Sequence, residues 1–389
     1  MASELQVNTI TEATSGSGIT FAKDVITPSA LSHRNMIDNG AMAIAQRWTS
    51  NADRHSDGYI VDRWKIEFSN EDQLRVTIGQ TGTAPNDQGF VNSLYVDVDS
   101  GDAETAIAAD EYVKIVTRLE GLDCQRLRYG TSNAQTTTLS FWVRSKLTGT
   151  YAVSIYKPGG NQIIGGTYTI NTADTWEKKS LTFAGNTVNT ITDDNTSGIQ
   201  VQFILLAGSN YTATSNTSWG ANNSYAAGKM AHGHTAAWGT SDTHDFYLTG
   251  VQWELGSVAT PFEHRSHAEY LEKCMRYCEI LAEGEDQGLG VCLEFNPNQP
   301  TTSVYFQAHF TTSKRTDQYS ITGFGSVSNY LRVRRNNNIG AYITGSFQNR
   351  SHHGSLIYFT AAQDPGIDGG AAWLETNHSS AKVFIDDDF

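Results

Sequence analysis

Four side chains stand where a strand-rich chain could meet a sugar: Trp142, Arg144, Gln202 and Glu254. Each falls in a run of alternating residue types. Leu139, Phe141 and Val143 make one face of such a run, so Ser140, Trp142 and Arg144 make the other. By the same alternation Tyr156, Gln200, Gln202, Gln252 and Glu254 fall on faces away from the apolar set. A sugar needs this mixture. Its CH face stacks on an aromatic ring, and its hydroxyls bond to amides, carboxylates and guanidinium groups. If these strands share one sheet, the face they make is a glycan site or a contact with a neighbouring subunit. Trp219 and Trp238 form an alternative set. With Tyr211, Tyr225 and Tyr247 they mark an irregular stretch, residues 208–243, rich in Gly, Ala, Asn, Ser and Thr. Rings in a long loop either contact a receptor or staple the loop to the body beneath it.

Other clusters carry less. His232 and His234 would share one face of a strand, with Asp242, His244 and Asp245 close by. In so Gly-rich a stretch they read as a solvated loop. Asp193, Asp194 and Asn195 offer oxygens to a Ca²⁺ ion but fit a turn better. His352 and His353 are adjacent and would diverge on a strand. Cys274 and Cys278 have no second pair, so they read as small buried hydrophobes. No metal and no cofactor are expected. No nucleophile has an orienting base nearby in sequence, and no carboxylate pair stands out. The expectation is a binding protein and not an enzyme.

Charge narrows the partners. Lys+Arg 27 against Asp+Glu 41 gives 27 − 41 = −14 over 389 residues. An acidic chain lacks the basic surface that a phosphate-backbone binder needs, so no nucleic acid is expected. The first twenty residues carry no apolar h-region, and no run of about 18 apolar residues occurs, so neither export by a signal peptide nor membrane insertion is expected. Only 17% of residues are charged while glycines number 35, a composition of many turns and short strands.

The elements that must position these residues follow from the periodicity. Residues 1–31 are too poor in apolar groups to fold alone, yet Leu5, Val7, Thr9, Ile19 and Phe21 are patterned. They read as an attachment segment that pairs with a partner. Residues 32–265 give strand after strand with one apolar face, which predicts a jelly-roll β-sandwich. One connecting helix is expected within 266–288. Ser266 and Glu269 form a capping box, and Leu271, Cys274, Cys278 and Leu281 repeat at helical spacing, so the helix should run over 267–282. Residues 289–389 return to strands and predict a smaller C-terminal β domain. The fold class is all-β.

Several stretches resemble phage tail-fibre and related virion proteins, of the kind found in marine and cyanobacterial phages. They are LQVNTI at 5–10, NMIDNGAM at 35–42 followed by AQR at 45–47, YIVDRW at 59–64, LSFWVRS at 139–145 and DTWEKK at 174–179. The strongest block is GVQWELG at 250–256, TPFEHRS at 260–266 and CMRY at 274–277. The resemblance implies a virion structural protein with a jelly roll like that of carbohydrate-binding modules. It implies a homotrimer that joins other virion proteins through 1–31 and touches host-surface polysaccharide. It implies assembly in the host cytoplasm and residence in the virion. It brings no catalytic motif. The rivals are a capsid decoration fibre with no receptor role and a glycan depolymerase.

Overall fold

The computed structural model describes residues 33–69, 73–212, 215–221, 229–294, 303–322, 331–335, 338–361, 371–376 and 382–389. The expected attachment segment, 1–31, and Tyr225 lie outside the described residues.

The first thirteen strands are β1 (Ser50–Arg54), β2 (Gly58–Val61), β3 (Trp64–Ser69), β4 (Val76–Thr81), β5 (Ser93–Val98), β6 (Tyr112–Glu120), β7 (Thr137–Arg144), β8 (Gly149–Lys157), β9 (Gln162–Ile170), β10 (Glu177–Phe183), β11 (Ser197–Ala207), β12 (Gly220–Ala221) and β13 (Asp245–Leu255). They form two sheets, with orders β1-β4-β5-β13-β7-β10 and β12-β9-β8-β11-β6-β3-β2. All their pairings are antiparallel. This is the expected jelly-roll sandwich. The inward residues of alternating runs meet between the sheets: Phe141 of β7 and Phe203 of β11 lie edge to face at 4.9 Å, and Trp64 and Trp253 are fully buried.

The helix is shorter than its periodicity predicts. It spans His267–Met275, opened by the expected capping box of Ser266 and Glu269. Cys278 starts a strand instead, β14 (Cys278–Glu283). In so short a run Cys278, Ile280 and Ala282 fit period two as well as a helical period, and a waiting partner strand decides between them. The apolar stripe therefore does not exist as drawn. Cys274 packs with Ile44 and Tyr270 inside its own chain, which removes the stripe as a reason for oligomers.

The C-terminal region returns to strands, eight of them among the described residues. They are β15 (Gly288–Glu294), β16 (Ser303–His309), β17 (Ser320–Thr322), β18 (Leu331–Arg335), β19 (Asn338–Ser351), β20 (Gly354–Ala361), β21 (Ala371–Thr376) and β22 (Lys382–Asp386). Strands β15-β16-β20-β19-β18-β21 close a barrel, whereas β22 lies between β14 and β17 in a separate three-stranded sheet. No helix among the described residues is long and apolar enough to cross a membrane.

Residues 386–389 then fold back onto the sandwich. Arg47 donates to Asp386 at 2.8 Å and to Asp388 at 3.3 Å, and Arg63 also donates to Asp388. Arg63 lies 3.4 Å above the Tyr277 ring, and the Tyr59 hydroxyl donates to the Phe389 carbonyl oxygen at 3.0 Å. Beside them Arg276 grips Glu120 with two bonds of 2.6 and 2.7 Å. Charges so deeply buried persist only when each is paired.

Candidate functional site

The four strand residues do not share one face. Strand order puts β7 and β13 in one sheet and β11 in the other. Trp142, Arg144 and Glu254 belong to the outer face of the six-stranded sheet. Gln202 belongs to the outer face of the seven-stranded sheet, on the far side of the sandwich. There it is buried, accepts from Ser154 at 3.4 Å and donates to Gln200 at 3.0 Å. It is spent within its own sheet.

Glu254 is on the right sheet but covered. Only 2% of it is exposed, and it accepts from the Thr260 backbone (2.8 Å), the Thr260 hydroxyl (2.6 Å) and the Gln252 amide (2.8 Å). The Gln252 oxygen in turn accepts from the Glu263 backbone at 2.8 Å. The Glu263 carboxylate accepts from the backbone of Asn35 and His33, which holds it ionised below the usual glutamate range despite partial burial. Glu254 is thus a positioning residue. It pins the segment 260–264 across the sheet face, and that segment brings Phe262 and His264 to a cleft wall.

The loop set is corrected. Trp238 is fully buried, and its indole N–H donates to the Asp245 carbonyl at 3.1 Å. Trp219 is half-buried, donates to the Ala184 carbonyl at 2.6 Å and meets Tyr129 edge to face at 5.6 Å. Tyr211 donates to the Asp110 carbonyl at 3.1 Å from a buried position. These rings staple the irregular stretch onto the sandwich. His234 is likewise occupied. His234 Nδ1 accepts from the Ala152 N–H at 3.2 Å and Nε2 faces the Ala236 carbonyl at 2.9 Å, and burial lowers its pKa to about 4. Asp194 caps its own turn through Thr196. No group of three metal-binding side chains occurs among the described residues.

Trp142 is different. It is half-buried on β7, opposite Lys178 of β10 and Thr249 of β13. A cleft of about 240 Å³ opens beside it, walled by Phe90, Pro261 and Phe262, with Gln88, Ser140, Lys178 and His264 supplying polar atoms. Phe90 and Phe262 lie edge to face at 4.9 Å, and His264 sits 5.1 Å from Phe90. Gly250 forms the floor. Its φ is +60°, and a Cβ there would stand 2.6 Å from Phe90 Cζ and 3.0 Å from Trp142 Cδ1. The register of β13 slips at this point, and the slip lets both rings close over a bare backbone.

The face continues past Arg144. Its guanidinium lies 4.8 Å from the Tyr247 ring and donates to Asp174 at 2.5 Å. Tyr247 stacks on Tyr95 at 6.3 Å and meets Trp176 at 6.4 Å. Asp97 faces Asp245 across β5 and β13, and burial together with that neighbour raises its pKa to about 6. The result is a row of half-buried rings bordered by hydrogen-bonding groups, all on one open sheet face.

Comparison with known proteins gives likeness of fold only. No protein-family model matches the chain, and no curated protein matches it. Among solved structures it is similar to the enzymatically active domain of bacteriophage CBA120 tailspike protein 4, at 12% identity and a TM-score of 0.30. That match covers 57% of this chain and 21% of the tailspike chain. It is also similar to TmCBM61 in complex with β-1,4-galactotriose, at 8% identity and a TM-score of 0.28, covering 58% of this chain and 99% of that one. The family 11 carbohydrate-binding module of cellulase Lic26A-Cel5E of Clostridium thermocellum matches at 12% identity and a TM-score of 0.26, covering 55% and 99%. Likenesses this weak decide neither ligand nor activity.

Residue types and spacing missed most of the cleft. Phe90 and Gln88 sit in an irregular segment with no periodicity to mark them. Phe262 and His264 were visible only as part of the block at 260–266. Lys178 and Trp176 could have been found from the alternation of β10, since Lys178 is the cross-strand partner of Trp142.

Proposed function

We propose that the chain is a virion structural protein, a tail-fibre or spike subunit, that holds host-surface glycan on the outer face of its six-stranded sheet. The observation that carries the glycan reading is the cleft at Trp142: a half-buried indole with apolar walls and polar atoms at its rim. A pyranose CH face stacks on such a ring, and hydroxyls bond to Ser140, Gln88 and Lys178. The virion part rests on the sequence blocks between residues 5 and 277 that resemble tail-fibre proteins. With it come the homotrimer, attachment through 1–31 and location in the virion. An open cleft of this size needs no high affinity. A millimolar site is worth about −4 kcal/mol, and three linked copies raise apparent affinity about 10²-fold or more. The glycan is bound and not cleaved, so incubation with host polysaccharide should release no reducing ends.

Trp142→Ala is the test. Binding to host polysaccharide, followed by affinity electrophoresis, should weaken roughly tenfold. Light scattering should still show a trimer. Unchanged binding overturns the glycan site, and a variant that dissociates shows the face to be a subunit interface instead.

A further inference from the structure

The cleft holds one cation that nothing answers. Strand β10 pairs with β7 so that Lys178 lies directly across from Trp142. Its neighbours on the sheet are spent: Arg144 is bonded to Asp174, and Lys179, on the other face of β10, is paired with Glu177. Lys178 is exposed and forms no ion pair among the described residues. No carboxylate lines the cleft. Asp87, beside Gln88 in the chain, accepts the Gln88 amide at 2.9 Å. His264 adds no positive charge at neutral pH, because burial lowers its pKa below the usual imidazole value. An ammonium beside a stacking ring and between apolar walls is a site for an anion carried on a sugar.

We infer that the cleft selects acidic glycans, whose uronate carboxylate or sulfate ester pairs with Lys178 while the ring stacks on Trp142. The inference rests on the glycan reading above. The chain's net charge of −14 opposes an anionic polymer at long range. At physiological salt that field is screened beyond about 8 Å, so the local pair decides. A charge-assisted hydrogen bond is roughly twice as strong as a neutral one.

The experiment uses the full chain and three soluble probes: polygalacturonate, the same polymer after carboxyl reduction, and a sulfated carrageenan. Wild type should bind polygalacturonate roughly tenfold more tightly than the reduced polymer. Lys178→Gln should abolish that preference, and Lys178→Arg should keep it. Lys178 is exposed, so neither change threatens the fold. The carrageenan arm separates the two anions: a Lys178-dependent preference for it assigns sulfate, and its absence assigns carboxylate. Equal binding of charged and reduced polymers, or a preference that survives Lys178→Gln, overturns the charge selection alone. If none of the three binds, the glycan reading falls with it.

Discussion

Two regions of the molecule set an arginine over a tyrosine beside an aspartate. At the junction Arg63 lies 3.4 Å above Tyr277 and binds Asp388, and both charged side chains are 2% exposed. On the outer sheet face Arg144 lies 4.8 Å from Tyr247 and binds Asp174, with exposures of 18% and 49%. The residue types are the same. Burial separates them. At the junction water is gone, so the charges are answered within the protein, and Arg63 also donates to the Arg118 carbonyl. On the open face water still reaches the pair, and the rings keep area free for a second partner. A constellation closed off from water holds the fold, and one left open to it can hold a ligand.

The largest difference should come from Arg63→Ala. It removes the nearer of the two arginines that hold Asp388 in a dry site, leaving Arg47 at 3.3 Å, and should cost about 3 kcal/mol in denaturant unfolding. A loss below about 1 kcal/mol would break the contrast. Arg144→Ala should change stability by about 1 kcal/mol or less, because Asp174 is half exposed and the buried Asp245 keeps Lys146 at 3.5 Å. It should still weaken glycan binding a few-fold, as the Tyr247 end of the row loses its polar contact.

The smallest effect is a titration. Burial and Asp245 raise the Asp97 pKa to about 6, with Asp99 acting in the same sense and Lys146 and Arg144 against it. A carboxyl with a raised folded pKa keeps a proton that the unfolded chain releases. Its contribution therefore grows as pH falls through about 6 toward the ordinary aspartate value of about 3.9. Between pH 7 and 5 the thermal midpoint of wild type should rise relative to Asp97→Asn. Parallel midpoints over that range would show that Asp97 keeps its ordinary pKa.

The sandwich was legible because alternation over β7, β8, β11 and β13 is long and regular. Such a run cannot sit otherwise without exposing its apolar face. The capping box at Ser266 was legible because it is local. The end of the helix was not, since the partner of β14 is β22, about a hundred residues away in sequence. The same limit governs the site. Trp142 and Arg144 could be placed on an outer face from their own strand. Whether Gln202 joined them depended on which strands pair. Whether Glu254 and Trp238 stayed open depended on segments that fold over them, and no period in the sequence records that.

Hydroxyl-radical footprinting of the full chain, with and without host polysaccharide, tests the open face most directly. Protection should be confined to Trp142, Phe262, Tyr247, Tyr95 and Trp176, with no change at Tyr277 of the junction. Protection of Tyr156 on the opposite sheet, or of none of the five, would contradict a glycan site on the outer face of the six-stranded sheet.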